Sequence, residues 1–182
     1  MTIDGIDRAL STCLEMLGQR GYHFFDMETH SAINDKTNHS IALYLLDECK
    51  LTVDHIKYYI GQTCKNNFNH CLIIYSNAIT PLAKKHIHSV PGIHAELFNV
   101  SELQYNLTKH RLQPKFHKLP SVQSQEFRKK FPKFSGMNVG DAISRFYDYR
   151  VGDVVRVTRR NKSENQKGVY HDFVTYRIVR GS

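Results

Sequence analysis

Several things are missing from this chain of 182 residues. Its four cysteines, Cys13, Cys49, Cys64 and Cys71, form no CxxC pair, and that spacing excludes a zinc ribbon. Set among apolar neighbours, they are expected as free, reduced, half-buried thiols of a cytosolic or nuclear protein. No apolar run approaches the ~20 residues of a membrane helix. The start Met1-Thr2-Ile3-Asp4 lacks the pattern of a signal peptide, so a soluble intracellular protein without membrane contact is expected. Neither an internal repeat nor a low-complexity tract is present. Acidic residues are in deficit, 17 against 25 basic, for a net charge of +8. That balance favours polyanionic partners, nucleic acid above all, with a merely solvated basic surface as the alternative. The excess thickens from Lys84 onward, notably at Arg128-Lys129-Lys130, Arg156, Arg159-Arg160 and Arg177.

What is present is an ordinary globular composition, 41% hydrophobic and 23% charged, on a length that suits one domain or two small ones. A small second domain would bury a limited core and lean on a partner for stability. Ile6, Leu10, Leu14 and Leu17 recur at helical spacing and predict a helix over 5–20, closed by Gly21. A short strand follows at 22–25. The polar stretch 28–40, rich in Asn, Asp and Thr, reads as a loop. Apolar runs at 41–46 and 71–75 predict buried strands, with a helix over 53–64 capped by Thr52 or Asp54 between them. Thr80-Pro81 opens another helix, and 94–98 is a third strand. This alternation predicts an α/β domain with a largely parallel sheet covered on both faces.

Residues 101–119 read as a short turn and an extended segment bent at Pro114, followed by a helix over 122–131 and a boundary at 131–136. Asp141 can cap a helix running through Tyr147. Gly152-Asp153 then turns into a strand at 154–157, and a polar connection over 160–168 leads to a closing strand at 173–179.

Candidate chemistry is sparse. His86, His88 and His94 could supply three metal ligands, but His86 and His88 are two apart on a helix and point to different faces, so no metal or cofactor is expected. A magnesium nuclease would use Glu48 and Lys50 on one strand face with Asp35 or Asp26 as the upstream carboxylate. Carboxylates would hold the ion and the lysine would orient water, although Asp47-Glu48 equally suits the polar end of a strand. A free-standing nucleic-acid regulator would need a groove-reading helix or an aromatic stacking platform, and neither is evident.

Several collinear segments carry a resemblance instead. They are Glu15-Met16-Leu17-Gly18-Gln19-Arg20-Gly21-Tyr22, Ile74-Tyr75-Ser76-Asn77-Ala78-Ile79-Thr80-Pro81-Leu82-Ala83-Lys84, and Asn106-Leu107-Thr108-Lys109-His110-Arg111-Leu112-Gln113-Pro114-Lys115. In the last third come Asp141, Arg145-Phe146-Tyr147, Gly152-Asp153-Val154-Val155-Arg156, Ser163-Glu164, Gly168, Tyr170 and Tyr176-Arg177. In order, these resemble the fifth common subunit of eukaryotic DNA-directed RNA polymerases, a family with an archaeal counterpart. Ala142 stands where that family usually has proline, Asp148 where it has glycine and Phe116 where it has histidine, with His117 one place later. A copy of such divergence suits a large DNA virus that encodes its own polymerase.

The resemblance implies an α+β chain of two domains with no catalytic residue and no small-molecule substrate. Residues 1–105 would be a restriction-endonuclease-like jaw, 106–136 a joint and linker, and 137–182 a small mixed α/β assembly domain. It further implies a transcription subunit found in the nucleus, or in host cytoplasm or virion if virus-encoded. The jaw would lie beside downstream duplex DNA, and the C-terminal domain would dock on the largest polymerase subunit, among other subunits. The residues agree. Thr80, Pro81, Lys84 and Lys85 combine a helix N-terminus with two lysines, suited to phosphate. Arg145, Tyr147, Gly152, Arg156, Tyr176 and Arg177 are the expected partner-binding set, since arginine interleaved with aromatics is typical of interfaces. Tyr176 and Phe146 could instead be core. His110 is expected as a structural histidine of the joint.

Overall fold

The computed structural model describes residues 3–26, 30–34, 36–47, 50–87, 90–162 and 170–181. Its first helix, α1 (Ile3–Gln19), buries Ala9, Cys13, Met16 and Leu17 along one stripe and ends where Gly21 takes the left-handed φ of +88°. Strand β1 (Tyr22–Asp26) follows directly. The stretch 28–40, expected as a loop, instead contains strand β2 (Ser31–Asn34), antiparallel to β1 and to β3 (His39–Leu46). The turn between β2 and β3 explains the polar composition. Asn34 Oδ1 accepts from the amides of Lys36 at 3.1 Å and Thr37 at 3.2 Å, and Asn38 sits at φ +54°.

Helix α2 (Val53–Lys65), strand β4 (His70–Tyr75), helix α3 (Pro81–His86) and strand β5 (His94–Asn99) complete a sheet of order β1-β2-β3-β4-β5. Only β3, β4 and β5 run parallel, so the sheet is mixed rather than largely parallel. Both faces are covered. Alternate residues of β4 point opposite ways. Cys71 and Ile73 pack with Ile56 and Ile60 of α2 and with Ala83 of α3. Leu72 and Ile74, on the other face, are equally buried. Each such side chain contributes ~1.5–3 kcal/mol of burial. That is why β4 is apolar from Cys71 to Ile74.

The chain divides into two compact units, Met1–Asn106 and Leu107–Ser182. Of residues 106–136, expected as a joint and linker, all but Asn106 fall in the second unit and supply it with strand β6 (Lys115–Lys118) and helix α4 (Ser121–Lys130). Strand β7 (Gly136–Asn138), helix α5 (Ala142–Phe146), strand β8 (Val154–Lys162) and strand β9 (Tyr170–Arg180) follow. The sheet order is β6-β8-β9-β7, antiparallel except for β7 against β9. Asp141 caps α5 by accepting from the Ile143 amide at 3.0 Å, as expected without the family's proline. The connection expected from Arg160 starts later, because Arg160, Asn161 and Lys162 pair with Asp172, His171 and Tyr170. Ser163, Glu164 and Gly168 lie outside the described residues. Met137, Ile143, Tyr149, Val155, Val157 and Val179 form this unit's core.

Candidate functional site

In the first unit, Thr80 is the N-cap of α3. Its hydroxyl accepts from the Ala83 amide at 3.2 Å, and Pro81 takes the first helical position. Lys84 and Lys85 are exposed and stand in the last turn of this six-residue helix, away from its N-terminus. A short helix has a small dipole, and the threonine already uses one of the free amides. The two lysine charges, rather than the helix end, are therefore what this patch offers a phosphate.

In the second unit the partner set splits across the sheet. In-register neighbours share a face, so Val155, Val157, Arg177 and Val179 face the core side that α5 covers. Arg145 and Tyr147 belong to that side. Tyr147 stacks on Tyr149 with centroids 5.3 Å apart and hydrogen-bonds Thr108; burial pushes its hydroxyl pKa up against that bond. Burial pushes the Tyr149 hydroxyl up as well, with the nearby Tyr147 and Asp153 adding to it. Arg156 and Tyr176 are direct cross-strand partners on the opposite face, where Phe127 of α4 lies 4.3 Å from the Tyr176 ring. Tyr176 and Arg177, adjacent in sequence, thus point to opposite faces and cannot form one contact surface. Gly152, at φ +97°, donates its amide to Val179 O at 2.9 Å and turns the chain into β8. Phe146 is core, whereas Tyr176 is half-buried. His110, expected as a buried joint residue, is exposed, and its Nδ1 accepts from the Leu112 amide at 3.3 Å.

One group was missed in the sequence. Arg20, at the end of α1, holds both carboxylate oxygens of Glu96 on β5 at 2.6 and 2.9 Å. His70 Nε2 lies 2.9 Å from Glu96 Oε1, and its Nδ1 is 3.3 Å from the Tyr22 hydroxyl. Burial pushes the Glu96 carboxyl up, but the Arg20 charge and the hydrogen bonds from His70 and Arg20 outweigh it and hold the pKa at about 2. His94 packs on His70 with centroids 4.5 Å apart. Although His70, His94 and Glu96 are ligand types, the bidentate guanidinium occupies the carboxylate, so the cluster is a buried ion-pair network. No local signal marks a pair 76 residues apart.

Of the nuclease constellation only Asp26 and Lys50 lie among the described residues. Strand β3 ends at Leu46, and Lys50, itself exposed, lies beyond it. Asp26 is on β1, two strands from β3. Glu48, Asp35, Cys49 and His88 lie outside the described residues. Of the described cysteines, Cys13 and Cys71 are buried and Cys64 is exposed, and all three are free.

Residues 105–179 match the family model of the RNA polymerase Rpb5 C-terminal domain. A protein of Invertebrate iridescent virus 6 that carries the name of a DNA-directed RNA polymerase subunit, 454R, is 34% identical over 121 residues. That match covers 59% of this chain and 60% of the relative. Subunit rpabc1 of DNA-directed RNA polymerases I, II and III from Dictyostelium discoideum is 27% identical over 79% of this chain and 74% of its own. Subunit 5B of DNA-directed RNA polymerases IV and V from Arabidopsis thaliana is 27% identical over 63% of this chain and 51% of its own. The matched segment 105–179 opens just ahead of the second unit and closes within β9, taking in the whole of its core. Residues 105–179 are therefore similar to the RNA polymerase Rpb5 C-terminal domain.

Proposed function

We propose that this chain is a non-catalytic structural subunit of a multisubunit DNA-directed RNA polymerase. The observation that carries the reading is the family match over 105–179, which coincides with a unit that builds a complete sheet and core of its own. Docking on the largest polymerase subunit would use the α5 side, through Arg145, Tyr147 and Arg177. Tyr147 is fixed there by Thr108 and Tyr149, so little side-chain entropy remains to be lost on binding. Gly152 shapes the adjoining turn, while Arg156 and Tyr176 face the other way.

The first unit is read as a restriction-endonuclease-like jaw, with a mixed sheet between helices that would lie beside downstream duplex DNA. Lys84 and Lys85, with Thr80 and Pro81 setting their helix, would touch the phosphate backbone and position DNA without reading its sequence. Residence would be nuclear, or in host cytoplasm or virion for a viral polymerase.

Affinity purification from the native source tests the proposal. Very large polymerase subunits should co-purify in stoichiometric amount, and Arg145→Ala with Tyr147→Ala should reduce their recovery. Recovery of the chain alone under mild salt would overturn it. Within an assembled polymerase, Lys84→Glu with Lys85→Glu should weaken retention of downstream DNA without unfolding the chain.

A further inference from the structure

The charge of this protein is not spread over both units. Of its 25 Lys and Arg, 17 fall in Leu107–Ser182, together with only 6 of its 17 Asp and Glu. The second unit is thus net +11 and the first net −3. The unit read as the docking module is the strongly basic one.

Part of this charge gathers on the side of the sheet opposite α5. Helix α4 lies there, anchored by Phe127, whose ring contacts Tyr176 of β9 and, at 5.2 Å, Phe134. None of its residues is buried and only Ser124 and Phe127 are half-buried, so the helix leaves most of its surface to solvent. Arg128, Lys129 and Lys130 in its last turn form one exposed basic run, with the exposed Lys133 just beyond. On the sheet itself the cross-strand row His117, Arg156 and Tyr176 continues the same face, with Lys115 opposite Thr158 beside it. Lys118 is neutralised by Asp153 at 2.8 Å. Among the described residues no acidic group pairs with Arg128, Lys129, Lys130, Lys133 or Arg156. The helix dipole favours cations in the last turn of α4, worth ~0.3–1 kcal/mol each, but it does not account for Lys133 or for Arg156 in the middle of a sheet. An uncompensated group of like charges is costly without counterions, and it releases them when phosphates take their place.

We propose that this face, α4 with its exit and the outer row of the sheet, binds the phosphate backbone of duplex nucleic acid without reading sequence. Duplex is favoured over single strands because the rings Phe131, Phe134 and Tyr176 on this face pack on Phe127, and Phe131, at 45% exposure, has Lys130 Nζ 5.6 Å from its centroid, so they do not stand free as a series of stacking platforms. The inference does not rest on docking to a polymerase, since the isolated chain would show it.

The test measures binding of the full-length chain to a short labelled DNA duplex of random sequence between ~50 and ~200 mM salt. We expect log K to fall linearly with log salt, with a slope of about −0.9 per phosphate engaged. Reversing Arg128→Glu, Lys129→Glu and Lys130→Glu together should reduce the slope by about 3 and the affinity more than tenfold. Lys84→Glu with Lys85→Glu should take away less. The milder pair Lys129→Gln and Lys130→Gln, reducing the slope by about 2, gives the same answer if the triple reversal disturbs folding. A wild-type slope in the α4 variants overturns the proposal. So does binding to poly-glutamate with none to duplex, which would make the face a site for an acidic protein.

Discussion

Replacing Glu96 by Gln probes what holds the first unit together. The substitution keeps the shape of the side chain but removes the charge facing Arg20, a guanidinium only 5% exposed. Breaking one partner of a buried pair costs about 3–5 kcal/mol, because the other charge stays behind without compensation. The lowered pKa of the Glu96 carboxyl points the same way. A carboxyl held at about 2 in place of its ordinary 4.5 corresponds to about 3 kcal/mol, at ~1.4 kcal/mol per tenfold change in the equilibrium. Since the folded pKa lies below the unfolded one, this stabilisation is fully present above pH 4.5 and is lost as the pH falls toward about 2. Urea unfolding of the full chain, followed by far-UV circular dichroism at neutral pH and in acid steps, reads both effects. At neutral pH Glu96→Gln should destabilise the first unit by about 3 kcal/mol, and its gap to wild type should narrow below pH 4.5. The double variant Arg20→Met with Glu96→Met should recover much of the loss, since apolar replacement of a buried pair is often neutral or stabilising. A single variant within ~1 kcal/mol of wild type, or a gap unchanged through the acid range, refutes the reasoning.

Other consequences are simpler to check. Thr80→Ala and Asp141→Ala each remove a capping oxygen, and each should lower stability by about 1 kcal/mol in thermal unfolding. Gly152→Ala forces a Cβ onto φ +97° and should cost ~1–3 kcal/mol, whereas Gly61→Ala, inside α2 with open space around it, should be neutral or stabilising. Among the described cysteines, Cys64 should react first with a thiol reagent at mildly alkaline pH. Cys13 and Cys71, pushed up by burial to about 12 and about 11, should stay unmodified until the first unit unfolds; mass mapping of the labelled peptides decides it.

Much of this architecture is legible in short stretches of chain. The helix starting at Thr80-Pro81, the stop at Gly21, the cap at Asp141 and the turn at Gly152 each depend on a few neighbouring residues, and each stands where its chemistry predicts. The apolar run of β4 likewise announces a strand covered on both sides. Strand β2 escaped because four residues set among Asn, Asp and Thr carry too little periodicity to outweigh the turn signals around them. Its pairing comes from β1 and β3, not from its own preference. Tyr176 and Arg177 looked like one interface motif, yet the two-residue period of a strand sends them to opposite faces, and only the register with β8 shows which face is which. Arg20, His70 and Glu96 were unreadable as a group. Local preference acts over a few residues, whereas a buried ion pair exists only once the sheet has brought distant strands and a helix end within ~3 Å and excluded water. The same holds for the basic face of the second unit: its charges can be counted along the chain, but folding decides which of them meet.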